Sequence, residues 1–366
     1  MAGRRRRSCV THPIEEARSP LAYSEEEFER RLEELVEARV PENSRNLPLY
    51  REMLATVLRM AQADRNRWDA KIMLQTLREM EHAFATLTQF KGRRKVTVFG
   101  SARTPIEHPL YALARELGAT LAQRGQMVIT GAGGGIMAAA HEGAGLDHSL
   151  GLNITLPFEQ HANATVDGTG NLLSFHFFFV RKLFFIKEAD ALVLCPGGFG
   201  TLDEALEVLT LIQTGKSPLV PVILLDEPAG SYWQEALQFI SRQLGDNRYI
   251  LPGDMKLMRL VNNVADAADE IDQFYRNFHS SRWLNSRYVL RLRYPLSEAA
   301  LDRVRQDFTD LCLSGGFEQL PYDETEQDEP ELSQLTWLVF AFTGRDHGRL
   351  RELLDFVNRP EHWAKR

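Results

Sequence analysis

Residues 195–204, with the sequence CPGGFGTLDE, hold the groups best suited to chemistry in this chain. The segment follows an apolar run at 189–194 and precedes a helical pattern at 205–213. Glycines let backbone N–H groups approach a ligand closely, and the start of a helix adds partial positive charge. A strand, a glycine turn and a helix start in this order predict an anion site. Because Asp203 and Glu204 fall in the first helical turn, the same site has carboxylates that can act on what the anion is attached to.

Two further glycine turns follow predicted strands upstream of this segment. One contains Gly100 and Ser101, and the other contains Gly133 and Gly134. Turns that follow parallel strands meet at one edge of a sheet, so the three together favour a phosphorylated ligand over a purely structural role. The dinucleotide pattern G-x-G-x-x-G and the P-loop pattern are both absent from the sequence.

An aromatic run leads into a basic pair between the second and third turns. The run, 175–179, is too continuous for one amphipathic face, so it either packs in the core or lines a pocket for a base. Arg181 and Lys182 follow it, and beside anion-binding turns such a pair is suited to a phosphate or a ribose. The sequence leaves open which apolar side chain would form a recess for the base. The candidates are Met137, Phe175, Phe177, Phe178 and Leu209.

These motifs together resemble the Lonely Guy (LOG) family, whose members were once labelled lysine decarboxylases. The resemblance rests on the motif PGGxGTxxE at 196–204, the upstream pair Arg181-Lys182, the glycine turn at 130–137 and the segment LPFEQ at 156–160. It covers residues 93–276, about half of the chain. Ala132 stands where many relatives carry glycine.

The resemblance implies a nucleoside 5′-monophosphate phosphoribohydrolase that needs neither a metal nor an organic cofactor. Such enzymes cleave the N-glycosidic bond of AMP-like nucleotides to a free base and ribose 5-phosphate. Many act on N6-modified AMP and so activate cytokinins, and others act on ordinary purine nucleotides. Carried over by position, Arg181 and Glu204 are the expected catalytic pair. The expected substrate contacts are Glu159, Lys182, Gly197, Gly198, Gly200, Thr201 and Thr210.

The residue types agree with this chemistry, but Glu204 has a second interpretation. Breaking a C1′–N bond builds positive charge on the ribose, as in glycoside hydrolysis, and a carboxylate stabilises that charge. Yet Thr201 and Glu204 also form the capping-box pattern S/T-x-x-E ahead of an apolar helix. Glu204 is therefore either a ligand-facing carboxylate or a helix cap, and the two roles do not exclude each other.

Strand and helix patterns alternate with short connections through the middle of the chain. This alternation predicts a Rossmann-like, doubly wound and mainly parallel α/β sheet. We expect a flexible basic tail at 1–23, an N-terminal helical region at 24–90 and the Rossmann-like core at 91–280. A small α+β domain is expected at 285–366, with a strand at 288–293, a helix at 297–313, a strand at 335–342 and a final helix at 347–357. This last domain is either regulatory or oligomer-forming.

Composition narrows the class of protein. The net charge of −7 argues against bulk nucleic-acid binding, and no apolar run has the length of a membrane span. Three cysteines, Cys9, Cys195 and Cys312, form no metal-ligand spacing and no disulfide framework, which predicts a cytoplasmic protein. A homodimer or higher homo-oligomer is expected.

Two other functions remain open from the sequence. A non-catalytic nucleotide sensor would use the same turns, with the C-terminal region transmitting occupancy. An interaction protein would use the N-terminal helices and the basic segment 4–7.

Overall fold

The computed structural model describes residues 24–41, 44–156, 161–323 and 329–364. The chain divides into two compact units, residues 1–74 and 75–366. The predicted tail at 1–23 lies outside the described residues. Every helix in the described ranges is too short or too polar to cross a membrane.

The first unit is helical, as the apolar spacing predicts. It contains α1 (Glu25–Glu37), α2 (Leu47–Ala63) and the start of α3 (Arg67–Leu87), which continues into the second unit. The side chain of Ser24 caps α1 by accepting a hydrogen bond from the backbone N–H of Glu27 at 3.2 Å.

The second unit contains a seven-stranded parallel sheet. Its strands, in chain order, are β1 (Lys95–Phe99), β2 (Met127–Thr130), β3 (Ser149–Ile154), β4 (Leu172–Phe175), β5 (Ala191–Leu194), β6 (Val222–Leu225) and β7 (Met258–Val261). The spatial order is β4-β3-β2-β1-β5-β6-β7. The order reverses between β1 and β5, and ligands of such sheets bind beyond the carboxyl ends of the strands at this switch point.

Helices cover both faces of the sheet, so the predicted doubly wound fold is confirmed. The core helices are α4 (Pro109–Gln123), α5 (Ile136–Ala144), α6 (Phe178–Lys187), α7 (Phe199–Gln213), α8 (Tyr232–Phe239) and α9 (Val264–Phe274). The two faces of one strand enter different cores: Val193 packs in the cluster with α4, α5 and α9, whereas Leu192 packs in the cluster with α6 and α7. A strand that is buried on both faces has a continuous run of apolar residues. β5 was predicted from such a run.

A four-stranded antiparallel sheet follows the parallel one. Its strands are β8 (Phe278–Leu284), β9 (Arg287–Leu292), β10 (Cys312–Leu320) and β11 (Thr336–Phe342), in the order β10-β11-β9-β8. Two helices, α10 (Glu298–Asp307) and α11 (His347–Val357), accompany it. The predicted final helix is confirmed, but the predicted helix 297–313 is too long. Its last residues form a 3-10 turn and the start of β10.

Candidate active site

The three glycine turns meet at the switch point of the parallel sheet. The backbone N–H of Ser101, after β1, donates to the carbonyl of Pro196, after β5, at 3.1 Å. The N–H of Ile136, at the start of α5, donates in turn to the carbonyl of Ser101 at 3.0 Å. These hydrogen bonds connect the three turns. The turns surround a cavity of about 760 Å³, which we call the motif cavity.

Most of the predicted site residues line the motif cavity. Those that do are Gly100, Ser101, Arg181, Gly197, Gly198, Gly200, Thr201 and Glu204. Gly133, Gly134 and Thr210 do not line it. Thr210 lies on α7, where its hydroxyl donates to the carbonyl of Leu206 at 2.7 Å. Glu159 lies outside the described residues.

Two glycines allow the turns to approach each other. A Cβ atom on Gly197 would lie 2.1 Å from the hydroxyl oxygen of Thr201, and one on Gly100 would lie 2.6 Å from the side chain of Ile136. By contrast, a Cβ on Gly198 would meet no described residue within 4 Å. Gly197 and Gly100 are therefore required by packing, whereas Gly198 leaves its space to the cavity.

Helix α7 begins earlier than the capping-box pattern requires. Its N-cap is Gly198, and no side chain in the described part of the chain caps it. Thr201 is the third residue of the helix, so it cannot be the N-cap of a box with Glu204. The interpretation of Glu204 as the partner in a Thr201 capping box is therefore wrong. The first N–H groups of the helix, those of Phe199 and Gly200, have no partner within the helix and lie at the cavity wall.

Glu204 is a buried carboxylate with one paired and one unpaired oxygen. The residue is only 4% exposed. Its Oε1 atom lies 3.5 Å from Nζ of Lys182, and its Oε2 atom is buried with no hydrogen-bond partner among the described residues. Burial raises the pKa of Glu204 above its usual range, although the charges of Lys182 and Arg181 act in the opposite direction. An unpaired buried oxygen is costly and is suited to a bound partner.

Lys182 approaches Glu204 from outside the cavity. It does not line the motif cavity but bridges from α6 to α7, at 2.8 Å from Asp203 and 2.5 Å from Glu207. Burial lowers the pKa of Lys182, but its bonds to Asp203 and Glu207 outweigh that effect and the net pKa is raised. Lys182 therefore remains charged and positions the carboxylates of α7.

Arg181 brings a cation into the cavity wall. Its guanidinium carbon lies 4.9 Å from the ring centre of Phe178 and 5.4 Å from that of Phe185. Burial lowers its pKa, and its Nε atom is buried without a hydrogen-bond partner among the described residues. Arg181 and Glu204 thus both line the cavity, and each has a buried polar atom without a hydrogen-bond partner among the described residues.

Apolar side chains complete the motif cavity. Of the five candidates for a base recess, Met137 and Phe178 line it, whereas Phe175 is buried in the core. Phe177 and Leu209 pack against the core cluster. The two candidates that line the cavity come from α5 and α6.

The sequence did not single out several residues that build the site. Asn153 at the end of β3, Arg103 and Tyr232 line the cavity, and the Tyr232 hydroxyl donates to the carbonyl of Gly197 at 2.7 Å. Asn153 had a detectable signal, because a polar residue near the carboxyl end of a buried strand is placed at the ligand edge. Tyr232 had no such signal, because it begins α8 after a loop that follows β6, and the sequence does not predict the path of that loop.

A buried histidine supports the second glycine turn. Nε2 of His141 lies 3.2 Å from the hydroxyl of Thr130, and Nδ1 lies 3.2 Å from the side-chain nitrogen of Asn163. The Asn163 side chain also donates to the carbonyl of Gly133 at 3.2 Å. Burial lowers the pKa of His141 to about 4, so it is neutral at pH 7.

Comparison with known proteins agrees with this architecture. A family model described as "Possible lysine decarboxylase" matches residues 134–271. The cytokinin riboside 5′-monophosphate phosphoribohydrolase of Mycobacterium tuberculosis is 30% identical over 173 residues, which are 45% of this chain and 87% of that protein. The chain belongs to the LOG family.

Other matches also cover about half of this LOG-family chain. The cytokinin riboside 5′-monophosphate phosphoribohydrolase LOG7 of Arabidopsis thaliana is 27% identical over 199 residues, 53% of this chain and 86% of that protein. Among solved structures, the molybdenum cofactor carrier protein of Chlamydomonas reinhardtii matches at 23% identity and a TM-score of 0.35, over 50% of this chain and 97% of that one.

Proposed function

We propose that this LOG-family chain hydrolyses the N-glycosidic bond of AMP-like nucleoside 5′-monophosphates to a free base and ribose 5-phosphate. The observation that carries the proposal is Glu204, a buried carboxylate with an unpaired oxygen in the same cavity as the glycine turns. The names of the relatives, nucleotide phosphoribohydrolases, point to the same reaction.

The 5′-phosphate is assigned to the start of α7. The uncapped N–H groups of Phe199 and Gly200 and the turn at Gly100 and Ser101 offer donors to one region of the cavity. Backbone donors at a helix start suit a phosphate because they combine hydrogen bonding with the helix dipole.

The ribose is assigned to the neighbourhood of Glu204. As the C1′–N bond breaks, its electron pair leaves with the base and positive charge builds at C1′. An ionised Glu204 stabilises that charge and accepts a proton from the water that adds to C1′. The proton is then passed on to the departing base, so the products are neutral base and ribose 5-phosphate, and Glu204 is ionised again. A carboxylate whose pKa is raised by burial is better matched to this proton transfer near neutral pH.

The base is assigned to the apolar side of the cavity. Met137, Phe178 and Ile154 line it there, and Arg181 lies against Phe178. Arg181 can donate to the departing base or to the phosphate, because its Nε atom has no partner among the described residues. An N6 isoprenoid group would occupy the apolar recess, so we include N6-modified AMP among the substrates.

A substrate panel with two matched variants tests the proposal. Pure protein is incubated with AMP and isopentenyl-AMP, and the free base is measured by chromatography. Glu204→Gln should lower kcat at least a hundredfold, in the range expected for loss of an acid–base group. Glu207→Gln is the control, because Glu207 lies on the same helix and also pairs with Lys182 but does not line the cavity. It should retain activity within a few-fold.

Two outcomes contradict the proposal. If no purine or pyrimidine monophosphate yields a base, the chain is not a nucleotide hydrolase. Tight nucleotide binding without turnover would then support the alternative of a nucleotide sensor. If Glu204→Gln keeps full activity, the reaction does not use this carboxylate.

A homo-oligomer and a regulatory or oligomer-forming role for residues 285–366 complete the proposal. Exposed apolar side chains on α6 and α7 support self-association. They are Phe178, Phe179, Leu183, Phe199 and Leu206.

A further inference from the structure

A second cavity lies at the other end of β1 and β5. It has a volume of about 770 Å³ and shares no lining residue with the motif cavity. Its walls include Lys95, the first residue of β1, and Asp190, which precedes β5, whereas the motif cavity lies beyond the last residues of these strands. The antiparallel sheet contributes His279, Ser280 and Arg293.

Positive charge dominates this second cavity, which we call the basic cavity. Six of its lining residues are cations: Lys91, Arg93, Arg94, Lys95, Lys187 and Arg293. Two are carboxylates, Glu188 and Asp190. An excess of four positive charges in one concavity contrasts with the net charge of −7 on the whole chain.

The two carboxylates are already engaged. Glu188 is shared by two lysines, at 3.1 Å from Nζ of Lys95 and 2.6 Å from Nζ of Lys187. Asp190 lies 3.5 Å from the guanidinium of Arg94 and accepts the backbone N–H of Lys95 at 2.9 Å. The two carboxylates therefore pair with Lys95, Lys187 and Arg94. They do not compensate the positive charges of the other three cations.

Among the residues that the structure describes, the remaining cations of the basic cavity have no acidic partner. Within the described ranges, the side chains of Lys91 and Arg293 form no hydrogen bond or ion pair. Arg93 donates only to a carbonyl, that of Asp147, at 2.9 Å. Like charges gathered in this way raise the free energy of the cavity, and an anion that entered it would lower that free energy.

Arg94 packs against an aromatic ring at the wall of the basic cavity. Its guanidinium carbon lies 3.5 Å from the centre of the Tyr275 ring, and the Tyr275 hydroxyl is anchored to the carbonyl of Asp190 at 2.6 Å. Partial burial and the charge of Arg94 lower the pKa of Arg293. Burial and the nearby charges of Arg293 and Arg94 lower the pKa of His279 to about 4, so its ring is neutral at pH 7.

We propose that the basic cavity binds a small molecule with a chain of two or three phosphate groups. A triphosphate carries roughly four negative charges at pH 7, which matches the excess of positive charge. The volume lies within the usual range for small-molecule sites, about 300 to 1,000 Å³. A concave wall with cations on several segments suits a compact anion that accepts hydrogen bonds from many directions. This site is independent of the reaction proposed for the motif cavity.

Calorimetric titration of the full chain with inorganic triphosphate tests the proposal. The titration is done at 150 mM salt, so that exposed surface charges are screened. Arg293→Ala should bind triphosphate at least tenfold more weakly, the loss expected for one charge-assisted hydrogen bond. Arg115→Ala is the matched control, because Arg115 is an exposed arginine on α4 that lines neither cavity. It should bind like the original chain.

Further variants keep the result decisive. Lys91→Ala should weaken binding as Arg293→Ala does, and it replaces that variant if Arg293→Ala does not fold. Arg103→Ala removes a cation from the motif cavity and should leave the affinity unchanged within twofold. The proposal is overturned if the original chain does not bind triphosphate, if Arg293→Ala and Lys91→Ala bind it normally, or if Arg103→Ala alone loses it.

A parallel titration with ATP in the Arg103→Ala variant distinguishes two sources of the phosphate chain. If ATP and triphosphate bind with equal affinity, the basic cavity recognises the phosphate chain alone. If ATP binds tenfold more tightly, the ligand is a nucleoside polyphosphate. The double variant, Arg103→Ala with Arg293→Ala, decides whether this binding occurs in the basic cavity. Loss of binding in the double variant supports the site, and retained binding contradicts it.

Discussion

Lys182 on α6 and Glu204 on α7 form an ion pair, in which Nζ lies 3.5 Å from Oε1. The contact involves only one oxygen of the carboxylate, and the other, Oε2, is buried without a hydrogen-bond partner among the described residues. The lysine thus favours the ionised form of Glu204 without blocking it, while burial favours the neutral form.

Replacing Lys182 by Met should move the acidic limb of the kcat/KM profile to higher pH. The pKa of Glu204 is already raised by burial, and loss of the lysine removes a charge that lowers it. Ionised Glu204 would then form only at higher pH. The profile is measured with AMP from pH 5 to 9, and Lys216→Met, an exposed lysine that does not line the motif cavity, should leave the limb in place. An unmoved limb in Lys182→Met would show that Glu204 ionisation does not limit the rate.

Glu204→Gln should be at least as stable as the original chain at pH 7. Because the pKa of Glu204 is raised in the folded state, that state binds more protons than the unfolded chain between the ordinary and the raised value. The free energy of unfolding therefore falls as pH rises through this window. Glutamine has no charge to bury, so the variant lacks the part of this fall that comes from Glu204. Urea unfolding of both proteins at pH 4 and pH 7 checks it: the stability of the variant relative to the original chain should be greater at pH 7 than at pH 4, and a difference that does not change with pH would contradict the assignment.

Alanine substitution of two neighbouring glycines should affect different properties of the protein, its stability in one case and its substrate binding in the other. Gly197→Ala places a methyl group against Thr201 and should lower the free energy of unfolding by about 1–3 kcal/mol. Gly198→Ala meets open space, so it should fold normally and raise KM, because the methyl group projects where a ligand would lie. Thermal unfolding and steady-state kinetics separate the two effects. Equal stability of both variants would mean that the turn yields more easily than its packing indicates.

The parallel sheet was predictable because its strands leave a local signal. β1, β2, β5 and β6 are buried on both faces and read as apolar runs, and each is followed by a turn. The two turns that line the motif cavity most fully follow β1 and β5, adjacent strands that are about a hundred residues apart in the chain. The glycine turns after predicted strands therefore indicated the sheet edge at which the motif cavity lies.

The elements that sequence reasoning missed lack such a signal. β8 is half-buried and contains His279, Ser280 and Ser281, and β10 contains two adjacent glycines, so neither matches a strand pattern. The geometry of the second turn was equally hidden. Ala132 has a φ of 58°, in the left-handed region where glycine is favoured, yet it is fully buried. The support of that turn by His141 and Asn163 depends on residues 22 positions apart.

Phe199 should be needed for self-association. It is 93% exposed at the start of α7, and α6 and α7 carry the other exposed apolar residues named above. An aromatic ring of this size left in water is unfavourable, and a second copy would cover it. Phe199→Asp should therefore shift the oligomer toward monomer in light scattering coupled to size exclusion. Leu313→Asp, at a similarly exposed position on β10, is the control and should not. A chain that is monomeric at every concentration would rule out the proposed oligomer.

His141 should make the fold sensitive to acid. Its pKa is lowered to about 4 by burial, so between pH 6.5 and 4 the unfolded chain binds a proton that the folded chain does not. Stability from the neutral ring is thus complete above about pH 6.5 and is lost as pH falls through this window. The full loss is about 3 kcal/mol by pH 4, since each pH unit corresponds to roughly 1.4 kcal/mol.

The difference between two proteins isolates this effect from other groups. The free energy of unfolding is measured in urea from pH 7.5 to 4.5 for the original chain and for His141→Gln, which has no titrating ring. The original chain should lose stability more steeply below pH 6.5, and His161→Gln, at an exposed position, should follow the original chain. The pKa of His279 is also lowered to about 4, but that residue is present in all three proteins and cancels in the comparison. Parallel curves for the original chain and His141→Gln would show that the second glycine turn does not depend on a neutral His141.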